Sequence, residues 1–172
     1  DTKSAGAILD FLVLRAEERL RRRQEKETQR KSATKKLRLP GKQRTNALAY
    51  NLANLHFSEG DYRDAIKQLQ KVDLDDVFYR LDARSILLKA YYELDDTDAL
   101  YYHATAFRTF LNRNRKISDN QRKLYLNLIK HTLSMTKIGT DNSRLKLLKK
   151  RVKENPNVAD LSWLETKIDT LK

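Results

Sequence analysis

Apolar residues recur at intervals of three and four along most of the chain, which is the spacing of one face of an α-helix. Alternation with a period of two, which would indicate half-buried strands, does not persist over a useful length. In residues 51–66, two apolar helical stripes are separated by Glu59, Gly60 and Asp61. Glycine can close a helix in the left-handed conformation, and aspartate can cap the next helix. The pattern therefore predicts an all-α fold built from helical hairpins.

The same periodicity predicts about eight helices. The first begins near Ser4 and carries apolar residues as far as Leu20, and the others span residues 47–58, 61–69, 77–94, 98–111, 118–133, 141–152 and 160–171. Their ends carry matching chemistry, since Ser118 and Gln121 fit a capping box and Pro156 follows a helix end. We expect Asp61 to cap the third of these helices and Asp160 to start the last.

Residues 21–36 interrupt the pattern, because they contain no large apolar side chain. They are rich in helix formers with opposite charges four residues apart, so they form either a solvated helical extension or a frayed linker. Leu39, Pro40 and Gly41 end this stretch. The chain is therefore divided into an N-terminal helix with a basic extension, residues 1–41, and a helical array, residues 42–172.

The N-terminal helix is apolar around most of its circumference, whereas the end helix of a stacked array needs a polar outer face. Its apolar residues are Ile8, Leu9, Phe11, Leu12, Val13 and Leu14. We expect upstream repeats, the first hairpin or a second molecule to cover this helix. The chain begins with Asp rather than Met, which leaves open a native start upstream and a removed signal peptide.

Composition excludes several classes of site. The 172 residues include no Cys, so disulfides, thiolate zinc sites and cysteine nucleophiles are absent, and a reducing compartment fits. The longest unbroken apolar run, residues 11–14, is far shorter than the roughly 18 residues that a membrane span needs. We expect a cytoplasmic protein.

Charge is distributed unevenly along the chain, whose net charge is +13. Lys and Arg minus Asp and Glu gives −1 for residues 1–14, +9 for 15–45, −5 for 46–98 and +10 for 99–172. Such a distribution steers an anionic partner toward the flanks and away from the centre.

Residues 50–72, YNLANLHFSEGDYRDAIKQLQKV, resemble the tetratricopeptide repeat, a helix-turn-helix unit of about 34 residues. On this resemblance Ala53 and Ala65 take the two small-residue positions where the helices cross, and Gly60 lies in the turn. His56 and Leu69 depart from the aromatic residues usual at their positions. Two facing alanines allow close helix packing, and a larger residue there should cost about 1–3 kcal/mol.

A second, weaker copy occupies residues 86–107, where Leu87 lies 35 positions after Leu52. Leu88 holds the small-residue position and Asp95 replaces the turn glycine, so this unit packs differently. Residues 77–96, 107–130 and 162–171 are similar to uncharacterised helical-repeat proteins from Bacteroidota. The similarity covers residues 46–172 and implies a right-handed solenoid of stacked antiparallel hairpins, in the C-terminal region of a longer bacterial protein. It implies no activity.

The sequence contains few candidates for catalytic or metal-binding residues. His56, His103 and His131 are isolated and lack the spacing of helical metal sites, so we expect structural or surface roles. Aspartates cluster at 73–76 and 95–98, where helix capping explains them better than a calcium loop. Because glycine-rich phosphate loops and nucleophile elbows are also absent from the sequence, we expect a protein that is not an enzyme and binds no cofactor or metal.

A repeat array offers a binding surface instead. On the resemblance, first-helix positions line a concave groove that binds a peptide or protein partner. The candidate binding residues are Tyr50, Asn54, Phe57, Lys89 and Tyr92, with Ala47, Ser58, Asp82, Ser85 and Glu93 beside them. The alternative is that some of these aromatic residues only pack between repeats. A clamp for a C-terminal carboxylate is not predicted, because the second-unit position that matches its asparagine is Ile86.

The competing hypothesis is nucleic-acid or ribosome binding through the basic flanks. Its candidate residues are Arg19, Arg22, Arg23, Lys26, Arg30, Lys149, Lys150 and Arg151. Residues 15–45 contain no aromatic side chain for base stacking, and a highly charged helix is often only a solvated surface.

Overall fold

The computed structural model describes Glu25 and residues 41–71, 76–139 and 141–171. Within these ranges the regular structure is entirely helical, which confirms the all-α class. The seven described helices are α1 (Gly41–Glu59), α2 (Tyr62–Gln70), α3 (Val77–Glu93), α4 (Thr97–Arg113), α5 (Asp119–Met135), α6 (Asn142–Glu154) and α7 (Leu161–Thr170). The predicted first helix lies outside the described residues. Glu25, within the charged stretch, is helical.

The described part of helix α1 starts at Gly41, six residues before the predicted start. Its first turns contain Lys42, Gln43 and Arg44, which favour helix but add nothing to the apolar stripe on which the prediction was based. The other helix bounds differ from the predicted ones by only a few residues.

Helix ends confirm part of the predicted capping. Ser118 and Gln121 form the complete capping box at α5. Asp61 and Asp160 occupy the N-cap positions of α2 and α7, but neither side chain makes a capping hydrogen bond, so the prediction for Asp61 was wrong. Both carboxylates instead face side chains of other helices, His56 for Asp61 and Lys89 for Asp160.

The turns of the first two hairpins share a left-handed residue. Gly60 has a φ of +84°, and Asp95 takes the equivalent conformation with a φ of +54°. Aspartate is one of the few residues with a side chain that enters this region readily. The replacement of the turn glycine by Asp95 therefore keeps a sharp turn between α3 and α4.

Two apolar clusters hold the helices together. The smaller joins α1, α2 and α3 through Ala53, Leu69, Ala83 and Ile86. Ala53 is completely buried, and so is Ala65 on α2, as close packing of that hairpin requires. The larger cluster runs from α3 to α7 and contains Leu81, Leu88, Leu100, Phe107, Leu128, Ile129 and Leu164, none more than 1% exposed.

Odd-numbered helices lie beside one another. Besides contacts along the chain from α1 to α6, α1 contacts α3, α3 contacts α5, and α5 contacts α7. None of the described helices combines the length and the apolar character that a membrane crossing requires.

Candidate protein-binding face

Helix α3 is the centre of the candidate face, because it contacts both α1 and α5. Side chains three or four residues apart on a helix lie on one side of it. Asp82, Ser85, Lys89 and Glu93 have this spacing, and their partners come from α1, α5 and α7 or the residue before it. We call this side the α3 face.

A tyrosine–carboxylate cluster, made of Tyr50, Tyr79, Asp82 and Tyr125, occupies the N-terminal end of the α3 face. The Tyr125 hydroxyl donates to Asp82 Oδ1 at 3.0 Å, and the Tyr50 hydroxyl donates to Oδ2 at 3.4 Å. Tyr79 meets Tyr50 edge to face, with ring centroids 5.3 Å apart. The cluster therefore links α1, α3 and α5 while Asp82 itself stays exposed.

Burial and the carboxylate both disfavour ionisation of these phenols. Burial, followed by the charge of Asp82, raises the pKa of Tyr125 far above its ordinary value. Burial also raises the pKa of Tyr50, and the effect of Asp82 adds to it. Both tyrosines are therefore hydrogen-bond donors across the physiological pH range.

Helix α7 covers the C-terminal end of the α3 face. Lys89 is only 8% exposed, and its ammonium lies 2.8 Å from Asp160 Oδ2. The Ser85 hydroxyl donates to the same carboxylate oxygen. Lys89 also lies over the ring of Phe57, 5.1 Å from its centroid. The ammonium is thus held by a carboxylate and an aromatic ring together.

One turn further along α3, Glu93 binds two side chains of α7. Trp163 Nε1 donates to Glu93 Oε1 at 2.8 Å, and Lys167 Nζ lies 2.7 Å from Oε2. Tyr92 meets the Trp163 ring edge to face at 5.7 Å. Asp160 therefore neutralises Lys89, and Lys167 neutralises Glu93, which also accepts a hydrogen bond from Trp163.

The segment before α7 fixes its position. Asn127 Nδ2 on α5 donates to the Asn157 carbonyl at 2.9 Å, and the Ala159 amide donates to the Leu124 carbonyl at 3.1 Å. Asp160 has a φ of +51°, which turns the chain into α7 and leaves its carboxylate on Lys89 rather than on the helix end. Leu164, on the same helix, is completely buried.

The five predicted binding residues fall into two groups. Tyr50 and Asn54 lie at the end that α7 does not contact, and Asn54 Nδ2 donates to the Tyr50 carbonyl at 3.0 Å. Phe57, Lys89 and Tyr92 lie against other side chains of the chain, including those of α7 and its N-cap. The contacts of Phe57 and Tyr92 are those expected from the alternative that these aromatic residues pack internally, and Lys89 packs against Phe57.

The predicted basic patch is described only in part. Lys149, Lys150 and Arg151 are exposed on α6, where Lys149 pairs with Asp169 at 2.9 Å and Lys150 lies 3.8 Å from Glu154. The remaining predicted positions, Arg19, Arg22, Arg23, Lys26 and Arg30, lie outside the described residues.

The histidines differ in their surroundings. His103 is buried, with Nε2 2.9 Å from the Arg84 carbonyl, and burial lowers the pKa of His103 and of His131. His56 Nδ1 is buried without a hydrogen bond and lies 3.8 Å from Asp61 Oδ2. A carboxylate oxygen of Glu59 lies within 4.8 Å of the possible metal-ligand atoms of His56 and Asp61. The expectation that no metal binds stays a prediction.

Sequence reasoning missed Tyr79, Tyr125, Asp160, Trp163 and Lys167 as members of the face. From Tyr125 onward the sequence loses the repeat period and predicts only helical hairpins, so no register linked that residue to Asp82. A signal for α7 did exist, because the only Trp of the chain lies on its last amphipathic helix.

Comparisons with known proteins find short similarities. A stretch of 60 residues is 55% identical to part of a DNA topoisomerase 4 subunit from Caulobacter vibrioides, covering 34% of this chain and 9% of that protein. A stretch of 38 residues is 58% identical to part of the corresponding DNA topoisomerase 4 subunit from Bartonella bacilliformis, covering 22% and 6%. The chain thus spans less than a tenth of these curated relatives. No family model and no solved structure matches it. Similarities of this length do not place the chain in the topoisomerase family.

Proposed function

We propose that this chain is a non-catalytic scaffold of the tetratricopeptide type, which binds a peptide or protein partner at the N-terminal end of the α3 face. Stacked hairpins would bring every other helix together, and the contacts of α1 with α3, α3 with α5 and α5 with α7 are consistent with that arrangement. The buried Ala53 and Ala65 and the left-handed turn residues Gly60 and Asp95 also support it.

The observation that carries the proposal is the exposed aromatic surface around Asp82. Phe78 is 52% exposed and Tyr79 is 51% exposed, although both begin a helix whose other large apolar residues are mostly buried. Tyrosine and phenylalanine are enriched where proteins bind one another, because they supply large contact area with few rotatable bonds. The adjoining Asn54 is exposed and adds a polar group for a peptide backbone.

The experiment compares partners captured by three tagged chains from a lysate of the native cell: wild type, Tyr79→Ala and Tyr102→Ala. Tyr102, on α4, is 81% exposed and belongs to neither end of the α3 face, so it is a matched control. We expect quantitative mass spectrometry to find proteins that wild type and Tyr102→Ala retain and that Tyr79→Ala loses. Equal recovery by all three chains would refute the proposed binding face.

A second candidate is nucleic-acid binding through α6. Its exposed basic residues are Arg144, Lys146, Lys149, Lys150, Arg151 and Lys153. Fluorescence anisotropy with random RNA and DNA at about 50 and 200 mM salt tests it, because phosphate contacts make affinity fall steeply with salt. Undetectable binding at the lower salt concentration removes this candidate.

A further inference from the structure

Neighbouring residues use only part of the hydrogen-bonding capacity of the Asp82 carboxylate. An ionised carboxylate offers about four lone-pair positions. The Tyr50 and Tyr125 hydroxyls take one on each oxygen, at 3.4 and 3.0 Å. These two bonds come from opposite flanking helices and fix the orientation of the carboxylate. Asp82 as a residue is exposed to solvent on the α3 face.

No cation of the described ranges pairs with this carboxylate within 4 Å. The basic residues closest to it in sequence, Arg80 and Arg84, both lie over the ring of Phe110 on α4, at 4.9 and 4.5 Å from its centroid. The nearest lysine along α3 is Lys89, which Asp160 holds. The basic side chains of α3 are therefore directed away from Asp82.

Aromatic rings border the same carboxylate. Tyr79 and Tyr50 form the edge-to-face pair beside it, and Tyr79 is half exposed. The face of a tyrosine ring attracts an ammonium or guanidinium group within about 6 Å of its centroid. A fixed carboxylate with aromatic neighbours is complementary to a cationic side chain.

The chain contains an internal example of this pairing. Lys89 lies between the Asp160 carboxylate, at 2.8 Å, and the Phe57 ring, at 5.1 Å. Seven residues earlier on the same helix, the tyrosine–carboxylate cluster has the carboxylate and the rings without the cation. Both ends of the α3 face thus have a carboxylate and aromatic rings, and only the C-terminal end also has a cation between them.

From this geometry we infer that the tyrosine–carboxylate cluster binds a lysine or arginine side chain of the partner. The inference rests on the proposed scaffold function and specifies the chemistry of the ligand. Local charge agrees with it, since residues 46–98 carry eleven Asp and Glu against six Lys and Arg. The net charge of +13 opposes nonspecific attraction of a basic peptide, so binding depends on this local arrangement.

The test uses fluorescein-labelled peptides of about twelve residues, in which alanine alternates with lysine, arginine or glutamate, and the full chain. Fluorescence anisotropy should show that wild type binds the lysine or the arginine peptide. Asp82→Asn should weaken this binding about threefold to tenfold, since it removes an exposed charge pair and weakens the cation site. Any binding of the glutamate peptide by the basic flanks should not weaken in Asp82→Asn. The stronger of the two basic peptides identifies the preferred cation.

Asp98→Asn is the matched control, because it removes an exposed carboxylate of α4 outside the cluster. It should leave the affinity unchanged, and circular dichroism should show equal folding of both variants. Absence of binding by wild type, or equal weakening by the two variants, overturns the inference.

The capture experiment separates failure of this inference from failure of the scaffold proposal. For this purpose Asp82→Asn is tested as a fourth tagged chain. Partners that Tyr79→Ala loses and Asp82→Asn retains would refute the cation site and leave the scaffold proposal standing. Binding of a basic peptide that depends on Asp82, with no captured protein that depends on Tyr79, would refute the scaffold proposal and leave the cation site.

Discussion

The two ends of the α3 face differ in what covers them. At the C-terminal end, Lys89 and Glu93 are neutralised by Asp160 and Lys167, and Trp163 fills the space between the helices. At the N-terminal end, Asp82 has hydrogen bonds from two tyrosines and no described cation. One side of α3 is therefore partly interior and partly exposed, according to how far α7 extends across it.

The largest change in the free energy of unfolding is expected from a substitution that tests whether α7 is a permanent part of the fold. Leu164 is completely buried in the large apolar cluster. Leu164→Ala should lower the free energy of unfolding by about 2–5 kcal/mol, through lost burial and a cavity. Urea denaturation followed by the fluorescence of Trp163, the only Trp, measures this change.

Leu147→Ala is the control for that substitution, because Leu147 on α6 is 47% exposed. It should change the free energy of unfolding by no more than about 0.5 kcal/mol. If Leu164→Ala were equally mild, α7 would not cover the α3 face in solution, and both ends would be open.

An intermediate effect is expected at the Lys89–Asp160 pair. Asp160→Asn keeps a residue that tolerates the left-handed backbone conformation, but leaves the buried Lys89 ammonium without a counter-charge. Loss of one partner of a buried pair costs about 3–5 kcal/mol. The Asp160 side chain is 37% exposed, so solvent screening reduces the expected cost to about 1–3 kcal/mol.

Asp169→Asn, within α7, provides the comparison for Asp160→Asn at its N-cap position. Asp169 also pairs with a lysine, Lys149, at 2.9 Å, but its side chain is 75% exposed. We expect a change of no more than about 1 kcal/mol in the same urea denaturation. Equal costs for the two variants would mean that Lys89 is hydrated in solution, contrary to its burial.

Periodicity was sufficient to predict the seven described helices, because each has a buried stripe of its own. Periodicity did not predict the roles of Asp61 and Asp160. Both occupy N-cap positions, and a local rule assigns them to capping, but their carboxylates face His56 and Lys89 instead. Such a choice depends on which side chains the tertiary fold brings near, and sequence spacing alone does not contain that information.

The candidate site was predictable to a similar degree. Repeat register predicted that Tyr50, Lys89 and Tyr92 share one face, because equivalent positions of successive first helices adjoin in such repeats. It gave no sign that α7 covers part of that face, because Glu93 and Trp163 are 70 residues apart and the repeat pattern is lost between them. Which part of the α3 face is covered by α7 therefore depends on packing between residues far apart in sequence.

The smallest expected effect concerns ionisation at the open end. Asp82→Asn removes a negative charge beside Tyr50 and Tyr125, so the pKa of both tyrosines should fall while burial keeps that of Tyr125 above its ordinary value. The pKa of Tyr92 should stay unchanged, because burial, Glu93 and Asp95 raise it at the other end. NMR of tyrosines labelled with ¹³C at Cζ measures each pKa separately.

The same shifts set the sign of the alkaline stability profile. A tyrosine whose pKa is raised by folding stabilises the folded chain below the unfolded pKa of about 10, and this contribution is lost as the pH rises above it. Asp82→Asn should therefore make the fall in the free energy of unfolding above about pH 10 less steep. At neutral pH the change should stay within about 0.5 kcal/mol, since Asp82 is exposed and has no described ion-pair partner. If neither the fall in the free energy of unfolding above about pH 10 nor the pKa of Tyr125 changed, Asp82 would not face the tyrosines in solution. The difference between the two ends of the α3 face would then not exist.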